Sequence, residues 1–187
     1  MMEHFAEKTI IKLVQLGSIK EEEKEIYAYG LQQGIFIILN IATTITIGYI
    51  SHMLWQNILF MVAYLPLRSF AGGYHARTQL RCYLYSIILT SIVLSAVRFI
   101  PWTSFICIGL ALFAGVIIFI LSPVEDINKP LDQAEVIMYK KRTSIILLLE
   151  MIVILFLLLF ELNNILPCIT VSLLTLSVML VLGKLKV

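Results

Sequence analysis

The chain has 187 residues, of which 60% are hydrophobic and 14% charged, and its mean hydropathy is +0.95. Soluble domains carry about 25% charged residues, so this composition excludes a water-soluble globular domain and indicates an all-α integral membrane protein. The formal net charge is only +2, and no nucleic-acid partner is expected.

Nothing in the chain resembles a linker or a low-complexity tract, so one membrane domain over 1–187 is expected. Its first part, 1–29, mixes charged residues (Glu3, Glu7, Lys8, Lys12, Lys20 to Glu25) with Phe5, Ile10, Ile11, Leu13, Val14 and Leu16. Such a mixture cannot span a bilayer, but it suits an amphipathic helix on the cytoplasmic surface, broken at Gly17-Ser18. Charges interrupt this segment and no cleavage pattern is present after it, so it does not read as a secretory signal and the first span is retained.

A helix needs about 20 apolar residues to cross the hydrocarbon core. Six spans are predicted within 30–187: Leu31 to Ile50, Met53 to Leu67, Cys82 to Ile100, Trp102 to Leu121, Thr143 to Leu162 and Ile165 to Leu182. The second is short and ends near Pro66. Basic residues stay on the cytoplasmic side of short loops. With both termini inside, only Arg98 of the fourteen Lys and Arg residues falls outside. That orientation puts the polar stretch Arg68 to Ser86 and the loop Ser122 to Arg142 in the cytoplasm, and leaves three very short turns on the exterior.

The stretch Arg68 to Ser86 holds the candidate chemistry. A thiol becomes a strong nucleophile when ionised, and a nearby histidine can take its proton; His75 and Cys82 are candidates for such a pair, against the bland reading of a polar loop histidine and a filler cysteine. Cys82 is expected near the start of the third span, where unpaired N–H groups and the helix dipole favour an anion, with Arg77 and Arg81 adding positive potential. On one continuous helix the pair would stand roughly 10.5 Å apart along the axis. Direct contact therefore requires that the chain bend between them or that something else bring them together, and Gly72-Gly73 just before the histidine supplies the backbone freedom for a bend. Cys107 and Cys168 lie in apolar runs and read as small hydrophobes. No metal-ligand spacing is present, and no metal or cofactor is expected.

The segment Gly72-Gly73-Tyr74-His75-Ala76-Arg77, with Cys82 seven residues after the histidine and Ser86 four later, resembles the signature of the accessory gene regulator B family of peptide-processing membrane enzymes. The likeness extends to the charged N-terminal segment, the six-span layout and the loop with Ser122-Pro123 and Asn128-Lys129-Pro130-Leu131. It implies a bacterial cell-membrane cysteine endopeptidase with His75 as base and Cys82 as nucleophile. Such an enzyme removes the C-terminal tail of a small precursor peptide at the inner leaflet and allows cyclisation to a thiolactone or lactone signal for quorum sensing. It also implies a homodimer in contact with membrane lipid.

Supporting roles are open for Ser86, one helical turn from Cys82, and for Arg77, Gly72 and Gly73. Arg68, Gln32, Gln33, Glu150 and Lys129 are candidate substrate-binding residues. Helix-end polarity explains Gln32 and Gln33 equally well, and a protonated Glu150 bonded to a neighbouring helix is the bland counterpart of a functional one. The rival reading from another class is a non-catalytic peptide exporter or assembly scaffold.

Overall fold

The computed structural model describes residues 8–11, 13, 14, 20–74, 78–125 and 131–186. Among these the fold is all-helical, and the only extended pairing is an isolated bridge between Gly72 and Val124. A 3-10 turn at Glu21–Glu23 leads into α1 (Lys24–Ile50), followed by α2 (Leu54–Ala71), α3 (Gln79–Phe99), α4 (Ser104–Leu121), α5 (Gln133–Leu159) and α6 (Leu166–Lys186). The chain divides into two compact units, Met1–Thr44 and Ile45–Val187. The first holds the helical residues 8–11, 13 and 14, the 3-10 turn and most of α1; the second holds the last residues of α1 and all of α2 to α6.

The boundaries differ from expectation where a local signal outranks hydropathy. Helix α1 begins at Lys24, so the last residues of the expected surface segment 1–29 are the first turns of the spanning helix. Helix α2 runs through Pro66 to Ala71 rather than stopping near the proline; a proline removes one ladder bond, a loss that neighbouring packing can offset within a bundle. Helix α5 starts about ten residues before the expected span, because Asp132 and Glu135 form a reciprocal capping box, with the Asp132 carboxylate accepting from Gln133 N–H at 2.7 Å and Glu135 accepting from Asp132 N–H at 3.2 Å.

Five helices, α1 and α3 to α6, are long and apolar enough to cross a membrane, the pattern of a multi-pass membrane protein. Helix α2, expected as the second of six spans, has 18 residues but carries Gln56, Asn57 and Arg68 among its apolar ones, and it does not reach that mark.

Within the second unit α6 is the central helix. Of its most apolar window 67% is buried, against 28% or less for the other four, and it packs on α2, α3, α4 and α5. Leu173, Leu176 and Leu180 are fully enclosed beside Leu67 and Ala71 of α2, Ile118 of α4 and Leu157 of α5. Its buried hydroxyls turn back on its own backbone: Thr170 donates to Leu166 O at 3.0 Å, Ser172 to Ile169 O at 2.7 Å and Ser177 to Leu174 O at 2.8 Å. Small side chains satisfied in this way let neighbouring helices approach closely.

Candidate functional site

The α2–α3 connection is built on two glycines that no other residue could replace without strain. Gly72 (φ 74°) and Gly73 (φ 118°) both occupy the region that L side chains rarely adopt. Each also faces a wall: a Cβ on Gly72 would collide with the Val124 carbonyl oxygen, and one on Gly73 would meet the Met179 carbonyl oxygen at 3.0 Å. The close approach to Val124 belongs to the bridge, in which Val124 N–H donates to Ala71 O at 2.9 Å. The loop after α4 is thereby tied to the end of α2.

Arg68, one turn before the end of α2, fixes the path of the chain beyond that helix. Its guanidinium donates from Nη1 to the Gly72 carbonyl and from Nη2 to the Tyr74 carbonyl, while Tyr74 N–H donates to Met179 O on α6 at 2.8 Å. A planar fork of donors suits two carbonyls on one turn, which a lysine could not serve in the same way. Arg68 thus holds the start of the connection, up to Tyr74; the substrate-binding role that the sequence suggested for it is a separate proposal.

Cys82 stands in the first turns of α3 and is exposed. Thr78 caps this helix, its side chain accepting from Arg81 N–H at 3.3 Å, and its carbonyl accepts from Cys82 N–H at 3.0 Å. The amides of Arg81 and Cys82 are thus occupied; those of Gln79 and Leu80, which have no intrahelical partner by helix geometry, are the ones left to meet an anion beside the thiol. Tyr64 of α2 lies within electrostatic reach of both Arg68 and Cys82. The Tyr74 ring packs edge-on against that of Tyr85 at 5.9 Å, and Tyr85 sits three residues after Cys82, on the neighbouring part of the same helix surface.

The chain is thus not one helix from residue 75 to residue 82: α2 ends at Ala71 and α3 begins at Gln79. His75 and Arg77 lie outside the described residues, as does Lys129. Ser86 is half-buried one turn beyond Cys82. Glu150 is buried in the middle of α5, ten residues past Lys140 and so roughly 15 Å farther along the axis; Lys140 itself donates to the Ser122 carbonyl at 2.8 Å, and to that of Phe119, at the end where Val124 meets Gly72. Glu150 therefore belongs to the helix interior rather than to this end. Gln33 donates to the Tyr29 hydroxyl at 3.0 Å within α1, and both Gln32 and Gln33 belong to the first unit.

Sequence reasoning missed Tyr64, Thr78, Met179 and Gly183. A Cβ on Gly183 of α6 would lie 2.8 Å from both the Gly73 carbonyl carbon and the Tyr74 nitrogen, so α6 forms the floor under the connection. The legible signal was a glycine near the end of an otherwise apolar helix. Among the described residues no cluster of His, Cys, Asp and Glu could hold a metal ion.

A family model described as accessory gene regulator B matches residues 6–181. The chain is 25% identical over 142 residues to AgrB-like protein 2 of Clostridium perfringens (strain 13 / Type A), covering 70% of this chain and 64% of that protein. It is 25% identical over 144 residues to AgrB-like protein 1 of the same strain, covering 77% of each, and 30% identical over 105 residues to an AgrB-like protein of Listeria innocua, covering 55% of this chain and 50% of the relative. The chain thus spans less than two thirds of the length of the first of these. No solved structure matches.

Proposed function

The chain belongs to the accessory gene regulator B family, and from that premise we propose that it is a membrane cysteine endopeptidase that processes a small precursor peptide for quorum sensing. The observation that carries this reading is the held connection before α3. Tyr74 is fixed by Arg68, by the Met179 carbonyl and by its ring contact with Tyr85, three residues from Cys82. His75 follows Tyr74 directly in the sequence, and this held residue before the proposed base is what supports the pairing with Cys82.

In the proposed reaction His75 takes the Cys82 proton, and Sγ attacks the carbonyl carbon of one peptide bond in the precursor. The C–N bond breaks, His75 returns the proton to the leaving amine, and the tail departs, leaving a thioester on Cys82. A thiol of the same precursor then gives its proton to His75 and attacks the thioester carbonyl, and Cys82 leaves as thiolate and takes that proton from His75. The product is a cyclic thiolactone; a hydroxyl in place of the thiol gives a lactone. Exchange of one thioester for another is nearly neutral, and intramolecular attack has a large effective concentration over water. The Gln79 and Leu80 amides are suited to stabilise the oxyanion.

In this reading six helices cross the membrane with both termini inside, α2 as a polar crossing covered by α5 and α6, and Cys82 faces the cytoplasm. The precursor, an AgrD-like peptide, lies along the inner leaflet, and the enzyme acts as a homodimer.

The test is co-expression with the cognate precursor, with mass spectrometry for the released tail and the trapped acyl-enzyme. Loss of both in Cys82→Ala and His75→Ala variants is expected. Normal cleavage by both variants would sink the reading and favour an exporter or scaffold.

A further inference from the structure

The bundle has a second polar end. From Cys82 to Arg98 helix α3 rises roughly 24 Å at 1.5 Å per residue, and around Arg98 the turns 51–53 and 163–165 and the start of α6 enclose a cavity of about 720 Å³. Its lining includes His52, Trp55, Gln56, Arg98, Trp102 and Asn164. This is the size of a small-molecule site, and it lies at the end of the helices, where a membrane protein meets the headgroup layer.

We propose that this cavity binds the phosphate headgroup of an anionic membrane phospholipid. Arg98 supplies the charge. It is exposed, its Nη1 lies 3.5 Å from the Ser51 carbonyl and its guanidinium rests 5.8 Å from the Phe99 ring centroid. Among the described residues it forms no ion pair; the one present joins Lys24 and Glu21. A guanidinium offers five donors in a plane, and the arrangement suits the bidentate capture of a phosphate. The amides of Gln56 and Asn164 and the His52 imidazole add hydrogen-bonding groups on the same wall.

The surroundings favour a lipid over a free anion. Trp55, Phe99, Ile100 and Phe105 are exposed beside the cavity, the last at 87%. Aromatic residues at helix ends sit at the membrane–water interface, at the level of the lipid headgroups. A phospholipid seated with its phosphate at Arg98 would lay its acyl chains along the exposed Ile88 and Ile92 of α3. This assignment is independent of the chemistry proposed at Cys82.

The protein's two tryptophans both line the cavity, so intrinsic fluorescence reads its occupation without mutation. Purified full-length protein in neutral detergent would be titrated with dihexanoyl phosphatidylglycerol, dihexanoyl phosphatidylcholine or inorganic phosphate. The expected result is a saturable emission change with phosphatidylglycerol, at about tenfold lower concentration than with phosphatidylcholine, and no response to phosphate. Arg98→Gln should weaken the phosphatidylglycerol response about tenfold, with native mass spectrometry showing the matching loss of retained lipid. Equal responses to the two lipids, a saturable response to phosphate alone, or an unchanged response in a folded Arg98→Gln protein would each overturn the proposal. If that variant fails to fold, the wild-type comparison of the two lipids decides alone.

Discussion

Gly183 of α6 and Gly73 of the α2–α3 connection meet backbone to backbone, with room for no side chain between them: a Cβ on Gly183 would stand 3.0 Å from the Gly73 Cα and 2.8 Å from its carbonyl carbon. The contact joins the most enclosed helix to the segment that leads into His75. A distortion here moves the connection without touching Cys82.

Gly183→Ala is therefore expected to destabilise the protein by about 1–3 kcal/mol, the usual cost of overpacking, and to lower precursor cleavage about tenfold. Gly109 of α4 is the control, because a Cβ there meets nothing within 4 Å; Gly109→Ala should stabilise by up to about 1 kcal/mol through helix propensity. Thermal unfolding in detergent reads both. Equal effects of the two substitutions would show that the Gly183 contact has no consequence.

Arg68→Lys keeps the positive charge but cannot repeat the planar fork to the Gly72 and Tyr74 carbonyls. Cleavage should fall about tenfold, mostly in kcat, and Arg68→Met should fall further. A rise in KM with kcat unchanged would instead return Arg68 to the substrate-binding role suggested by the sequence.

Cys82 is exposed whereas Cys107 and Cys168 are buried, at 1% and 0%. A water-soluble maleimide applied to the folded protein should modify one thiol, and the Cys82→Ala protein should take up none until it is denatured. Cys107→Ala and Cys168→Ala should retain cleavage. Rapid labelling at either buried position would contradict the packing of α4 on α6.

Asp132→Ala removes the cap of α5 and should cost about 0.5–2 kcal/mol. Because the cap lies at the helix end and its bonds are exposed, the loss should appear first as faster amide exchange over residues 133–136, with the buried face at Leu147 and Ile154 protected as before.

Much of this protein was decided by the sequence alone, since the bilayer imposes a length and an apolar composition that local sequence must meet by itself. The apolar runs gave α1 and α3 to α6, the glycine pair gave the break after α2, and helix geometry required that break before any contact between a residue at 75 and one at 82. Capping chemistry was also legible at Asp132 and Glu135, though hydropathy masked it. Tertiary structure decided the rest, because it depends on which surfaces meet. Hydropathy gives α4, α5 and α6 much the same reading, yet packing alone makes α6 central and puts Gly183 under Gly73. That the Arg68 guanidinium meets the Gly72 and Tyr74 carbonyls is visible only in the fold. The glycines at 72 and 73 promised freedom; their contacts with Val124 and Met179 hold the chain from Ala71 to Tyr74 in one path.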